Sequence, residues 1–481
     1  QTEWVKLNVE QAGFYRVLYQ NEDLYLLNEA VKQKLLGAAD RLGLISDSFA
    51  MVQARLTPAS TFLTQCNAYT NETSQPVWSE LLYGLRYIQN LIYGKGYYDD
   101  FTKYSRHLLK QIQSDVGWET NSNDDHLTSL LRSQILLSAG QFEDLVVLEK
   151  AKSELQNSLV MGNQIPADLR RIIYVLAAKQ GDQELYDIFW ELHSKSNFQE
   201  EQVRLLSALT QFQDPGLIAK TLDMALTEKV RTHETISVIV QSCGTHNGRK
   251  LTWEFMKENW KELDRRYGEG GFGLMYMIQA LSGFRNNAAL KDIDEFFKSN
   301  CVPAAELTLL QTKETIKNNI DWIEYNKTDL DNYYKYTRGT RKGDFVVADM
   351  YMDLAEIPYQ FENESVDKIL IVNTFEHFSQ ADAAKLLKEW YRVLKNGGEL
   401  LIDVPDLIET LKILENGKDA DEMNWGIRLV YGSQKNDFSF HKWGYTFETI
   451  SDLSKKTGFK KTEKINLIKH DYPMIMVKII K

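Results

Sequence analysis

The spacing of apolar residues changes twice along the chain. Residues 2–19, TEWVKLNVEQAGFYRVLY, alternate apolar with polar and carry Val, Phe, Tyr and Trp. That pattern predicts strand, with a turn at Gln11-Ala12-Gly13. From about residue 22 to 327 the apolar positions recur every three or four residues, the spacing of helices with one buried face. DLYLLNEAVKQKLLGAADRLGLISDSFAMVQARL (23–56) shows it first. EDLVVLEKAKSELQNS, PADLRRIIYVLAAKQ, DQELYDIFWELHSKS and EEQVRLLSALTQFQDP each predict one helix, divided by turns such as Gly181-Asp182 and Asp214-Pro215-Gly216. A long series of short helices without strands predicts an irregular, HEAT-like helical superhelix, since no strict repeat period is visible.

The pattern changes again after DWIEYNK (321–327). TDLDNYYKYTRGTRKGD is polar and rich in Tyr, Gly and Arg, and reads as a junction. DFVVADM, DKILIVNTF, GELLIDVPD and YPMIMVKII are short strand-like runs. QADAAKLLKEWYRVLKNGG is an amphipathic helix with a stop at Asn396-Gly397-Gly398. Strand, helix and strand at these lengths predict an α/β layer with parallel strands. The expected division is 1–20 as the end of a small β-domain, 21–327 as the helical domain, 328–342 as the junction and 343–481 as a partial Rossmann-like α/β domain.

Composition narrows the functional classes. At 481 residues the chain exceeds what one core of roughly 250–300 residues holds. A net charge of -11 provides no electrostatic basis for nucleic acid or an anionic membrane as partner. No apolar run approaches the roughly 18–20 residues of a membrane span. Cys66, Cys243 and Cys301 are odd in number and far apart, which suggests free thiols in a reducing, cytoplasmic setting. The first residue is Gln1, so the expectation is a numbering that starts inside a longer product or after a processing event.

Two motifs lack their context. RYGEGGFGLM (266–275) contains G-x-G-x-x-G at Gly268, Gly270 and Gly273. A pyrophosphate loop must follow a strand and open a helix, yet RKLTWEFMKENWKELDRRY before it is helical. A loop between helices is expected. HETIS (233–237) begins like a zinc-peptidase helix, but Ser237 stands where H-E-x-x-H needs its second histidine.

Against this background, EWVKLNVEQAGFYRVLY, AADRLGLISDSFAMVQA (38–54), NGRKLTWEFMKENW (247–260) and TIKNNIDWIEYNK (315–327) resemble, in order, the C-terminal helical domain of the aminopeptidase N and puromycin-sensitive aminopeptidase family. The resemblance implies a wall of a peptide chamber whose zinc ligands lie in another domain. It therefore implies no zinc, no metal ligands and no peptidase activity in this chain, with peptide as the partner. Arg266 and Tyr267 either face that chamber or play a structural role.

Residues 343–481 resemble the later part of a class I S-adenosylmethionine-dependent methyltransferase, of the kind encoded beside sugar and cell-envelope genes. FENESVDKILIVNTFEHF (361–378), LLKEWYRVLKNGGELLIDVPD (386–406) and FSFHKWGYTFETISDLSKKTGFKK (438–461) carry it. S-adenosylmethionine is the implied cofactor. Asp349 or Asp353 either accepts from its adenine amino group or caps a turn. Asn373, Glu376 and His377 stand at the mouth of the strands. His377 is either the base for an acceptor hydroxyl or amine, or a surface histidine on a loop. His441 and Trp443 either wall the acceptor or pack.

The family's glycine-rich loop and its surrounding βαβ unit of about 30 residues do not precede these segments. One exposed sheet edge and feeble cofactor binding are therefore expected. Three readings stay open. The first is a fragment or fusion joining an aminopeptidase chamber domain to a truncated methyltransferase. The second is an active methyltransferase for a small or sugar-type acceptor. The third is a non-enzymatic helical peptide-binding scaffold.

Overall fold

Gly37 divides the first long apolar-periodic stretch into two helices, Asn21–Lys32 and Ala38–Gln53. The protein is described here by a computed structural model, covering residues 4–120, 124–269, 272–337, 354–434, 440–466, 470 and 472–481. It divides into two units, Gln1–Tyr351 and Met352–Lys481.

In the first unit, aspartates set where several helices begin. The side chains of Asp125, Asp144, Asp182 and Asp214 accept from backbone N–H groups of the first turn, each worth about 1 kcal/mol. The helices Ala38–Gln53, Gln75–Ile92, His126–Gln141, Ala167–Lys179, Gln199–Leu209 and Thr232–Gly244 pack each on the next in that order. The helices between them in sequence pack alongside, which gives the two-layer order of a helical superhelix.

Two apolar cores result. One runs from Leu27 to Val238, the other from Ile218 to Ile316. The 32-residue helix Glu306–Thr337 serves both, giving Ile316 to the second core and Trp322, Leu330 and Tyr334 to the first. Residues 328–337, read as the start of a polar junction, are helical. Leu330, Tyr333 and Tyr334 are buried at helical spacing, and that apolar face outweighs the polar composition.

The strand predicted over 2–19 is not formed among the described residues. The segment instead holds a short 3₁₀ turn, Val9–Gln11. Two of its backbone N–H groups are satisfied by side chains of the helix Ala38–Gln53, and others by Asn8 and Tyr19 of the segment itself. The Glu10 N–H donates to Asp40 Oδ1 at 2.7 Å and the Val17 N–H to Asp47 Oδ2 at 3.1 Å. An alternating pattern makes a strand only beside another strand, and none lies there among the described residues.

The second unit holds a four-stranded sheet in the order β1 (Val366–Val372), β2 (Leu394–Pro405), β4 (Met474–Ile480), β3 (Lys461–Ile465). The predicted helix spans Gln380–Val393 and crosses from β1 to β2, which pair in parallel. The other two pairings are antiparallel, so the sheet is mixed rather than parallel. Eight residues lie between Ile465 and Met474, too few for the helical crossover a parallel pairing needs, so the chain reverses. Asn396-Gly397-Gly398 does not end the helix as expected. It forms a bulge inside β2, where the register jumps between Val366↔Leu394 and Lys368↔Glu399 and Gly397 takes φ 79°. Among the described residues, β1 pairs with β2 alone, so its other edge has no partner. No helix of the described residues is long and apolar enough to cross a membrane.

Candidate functional site

The two motifs that lacked context take structural places. Gly268 follows the helix Trp260–Tyr267 and Gly273 opens the helix Gly273–Ala280; Gly270 lies outside the described residues. No strand precedes this loop. Glu234, in the first turn of its helix, forms an ion pair with Arg231 at 2.7 Å rather than facing a metal. Arg266 pairs with Glu262, and the Tyr267 hydroxyl donates to the Thr232 carbonyl at 2.6 Å. Arg266 also donates to the Leu226 carbonyl at 2.9 Å, so both residues tie the helix Trp260–Tyr267 to neighbouring segments.

The stacked helices of the first unit line a cavity of about 340 Å³. Arg86, Arg171 and Lys179 reach it from two of them. Burial, reinforced by the charge of Arg171, lowers the pKa of Arg86. Burial also lowers that of Lys179, with Glu143 opposing and Arg86 adding to the effect. Neither Arg86 nor Arg171 has an ion-pair partner among the described residues. The amides of Gln89 and Gln141 add hydrogen-bonding groups to the wall. At the far side His246 stacks on Tyr93, with ring centroids 3.7 Å apart and planes 8° from parallel. Arg285 donates to the Asn90 and Tyr93 carbonyls, so residues from both ends of the array meet there. This cavity was not foreseen from sequence, because its cations come from helices about 90 residues apart.

The second candidate site lies past the carboxyl end of β1. Asn373 takes φ 47°, and its N–H donates to the Asp403 carbonyl at 2.9 Å, turning the chain out of the sheet. The 3₁₀ turn Phe375–His377 follows and places Glu376 at 3% exposure. The backbone N–H groups of Lys442 and Trp443 donate to the Glu376 carbonyl at 2.8 and 3.2 Å, which brings His441 to the turn. His377 Nε2 and His441 Nε2 each lie 4.0 Å from Glu376 Oε1. Burial, with Asp403 adding to it, pushes the Glu376 carboxyl up to about 8. Burial lowers both histidines, and His377 further lowers His441.

Of the predicted site residues, Asn373, Glu376 and His377 are therefore together, and His441 joins them. Trp443 is half-exposed beside the same small cavity. Asp349 and Asp353 lie outside the described residues. Sequence reasoning missed the buried pair of Asp403 and His470, 2.6 Å apart, since His470 comes from a loop 67 residues on. S-adenosylmethionine is the cofactor that the methyltransferase resemblance implies. The cavity beside Glu376 is about 10 Å³, room for a water and not for a nucleoside, so the described residues do not fit it there.

Comparison with known proteins finds two family models in succession, meeting at residues 314–318 within the helix Glu306–Thr337. The family model described as the ERAP1-like C-terminal domain matches residues 4–318, and one described as a methyltransferase domain matches residues 314–402. Similar proteins include Aminopeptidase M1 of Arabidopsis thaliana, 27% identical over 68% of this chain and 38% of its own length. Glutamyl aminopeptidase of Sus scrofa is 26% identical over 69% of this chain and 36% of its own. The chain thus spans little more than a third of these relatives. On the match that covers most of its length, the chain belongs to the ERAP1-like C-terminal domain family, with a methyltransferase domain following it.

Proposed function

We propose that the helical unit binds peptides by a carboxylate and has no peptidase chemistry of its own. The observation that supports this most is the cavity holding Arg86, Arg171 and Lys179. Arg86 and Lys179 are half-buried, and the exposed Arg171 adds its charge beside Arg86, so the cations raise one another's free energy and an entering anion relieves that cost. A peptide's terminal carboxylate fits this demand, with Arg as a bidentate partner and Gln89 and Gln141 for the peptide's amides. The aminopeptidase names of the relatives favour a peptide over other anions. The lack of peptidase chemistry rests on the H-E pair at 233–234, which has Ser237 in place of a second ligand and a carboxylate held by Arg231.

The test is a fluorescence titration of the full chain with a labelled peptide and with the same peptide amidated at its C-terminus. Saturable binding that weakens at least tenfold on amidation, and likewise in Arg86→Gln, is expected. Equal affinity for both peptides, or no binding, overturns the carboxylate reading. Release of N-terminal residues by the purified chain overturns the second half.

A further inference from the structure

We propose that Glu376, His377 and His441 form a binding site for a divalent transition-metal ion of the zinc type. The ligand atoms of the three residues all lie within 4.8 Å of one another. Around a tetrahedral ion with bonds of about 2.0–2.1 Å, neighbouring ligand atoms stand roughly 3.4 Å apart. The two 4.0 Å separations from Glu376 Oε1 therefore close by well under an ångström on binding.

The histidines are oriented for this role. His377 Nδ1 lies 2.9 Å from the Phe440 carbonyl, and His441 Nδ1 lies 2.9 Å from the Leu429 carbonyl. A carbonyl oxygen only accepts, so each Nδ1 carries the proton and each Nε2 presents a lone pair. Backbone carbonyls holding the outer nitrogen of a ligating imidazole are the usual outer support of a metal site. The rings stand edge to face, with centroids 5.0 Å apart, and both Nε2 atoms converge on one carboxylate.

Glu376 supplies the second argument. It is 3% exposed, and its Oε2 has no hydrogen-bond partner. The groups within ion-pair distance of it among the described residues are these two imidazoles. A buried carboxyl oxygen without a partner costs free energy, which an ion held by the same carboxylate removes. Two imidazoles and a carboxylate suit zinc and neighbouring first-row ions better than magnesium or calcium, which prefer all-oxygen shells. The cavity of about 10 Å³ bounded by Glu376, His441, Trp443 and Tyr445 leaves space for one water beside two of the three ligands. The ion would join the turn after β1 to residues 440–443, which main-chain hydrogen bonds already bring together.

The test is equilibrium dialysis of the full chain against Zn²⁺, with metal counted per chain, and a visible spectrum with Co²⁺. One equivalent of zinc is expected, and a Co²⁺ spectrum of nitrogen and oxygen ligands without a thiolate charge-transfer band. Glu376→Gln and His441→Gln should each lose that equivalent or weaken it at least tenfold, with circular dichroism confirming that they fold. Glu376→Gln removes a buried charge and keeps the shape, so it serves where His441→Gln does not fold. No saturable binding by the unmodified chain, a thiolate band, or unchanged binding in Glu376→Gln overturns the proposal.

Discussion

Asn326 caps a helix that begins 267 residues before it in sequence: its Oδ1 accepts the backbone N–H of Ala59 at 2.7 Å. Asp329, one turn further on, accepts from the N–H and hydroxyl of Ser60 at 3.0 and 2.6 Å. The helix Ala59–Cys66 has Pro58 before it, which offers no side-chain acceptor, so its first donors are satisfied by the helix Glu306–Thr337. Asn326 is fully buried. Asn326→Ala leaves a buried N–H unpaired and should lower the stability of the helical unit by about 1–3 kcal/mol. A shift of the urea midpoint with unchanged slope checks this.

Arg41 and Glu72 form a buried bidentate pair, Nε to Oε2 at 2.6 Å and Nη2 to Oε1 at 2.9 Å. Burial raises the Glu72 carboxyl, but Arg41 and the N–H groups of Ser74 and Thr73 outweigh it and hold the pKa below its ordinary value. The pair's stabilisation is therefore present above the ordinary carboxylate range and lost as pH falls through the lowered value. Arg41→Met should cost about 1–3 kcal/mol at pH 7, because Glu72 loses its bidentate partner and keeps the N–H groups of Thr73 and Ser74 and Lys34 at 3.6 Å. That cost should shrink at pH 4, where Glu72 in the variant takes up a proton. Urea midpoints of both proteins at the two pH values measure it.

His246 is held neutral. Burial, then the charges of Arg249, Arg285 and Lys179, push its pKa down to about 3. Below pH 6.5 the unfolded chain takes a proton that the folded chain refuses, so stability falls toward acid by up to about 1.4 kcal/mol per pH unit. Above pH 6.5 both states are neutral and the contribution is constant. His246→Phe retains the stack on Tyr93 and removes the base. The variant should lose less stability than the parent between pH 6.5 and 5, read from thermal midpoints; parallel curves would refute it.

Gly84 sits against two aromatic rings of the first core. A Cβ there would meet Phe62 Cζ at 2.4 Å and Phe49 Cδ2 at 3.1 Å, and both rings are buried. Gly84→Ala, favourable by helix propensity alone, should instead destabilise by about 1–3 kcal/mol through overpacking. A thermal midpoint above that of the parent would contradict it.

Much of the fold was legible because each helix carries its own apolar stripe and its own start. PADLRRIIYVLAAKQ folds as Ala167–Lys179 and DQELYDIFWELHSKS as Gln183–Lys195, with Asp182 as the cap between them. Legibility failed where partners decide the structure. Residues 2–19 read as strand, but among the described residues the Glu10 and Val17 N–H groups go to Asp40 and Asp47. The tail of the helix Glu306–Thr337 read as polar, since Leu330, Tyr333 and Tyr334 matter only where a core receives them. At the candidate site, Glu376-His377 stood out as an adjacent pair, whereas the convergence of His441 on it depends on hydrogen bonds from residues 441–443 to the 3₁₀ turn and to Tyr431.

Local pattern in the chain was enough for the change from helical to α/β character, the succession of helices and the family. Those follow from periodicity, capping residues and motifs that act within one or two turns of the chain. Tertiary structure alone decided the cationic cavity, the long-range cap by Asn326 and the meeting of Glu376, His377 and His441. Each joins side chains from distant elements, and their effect depends on distance and burial, which no local pattern encodes.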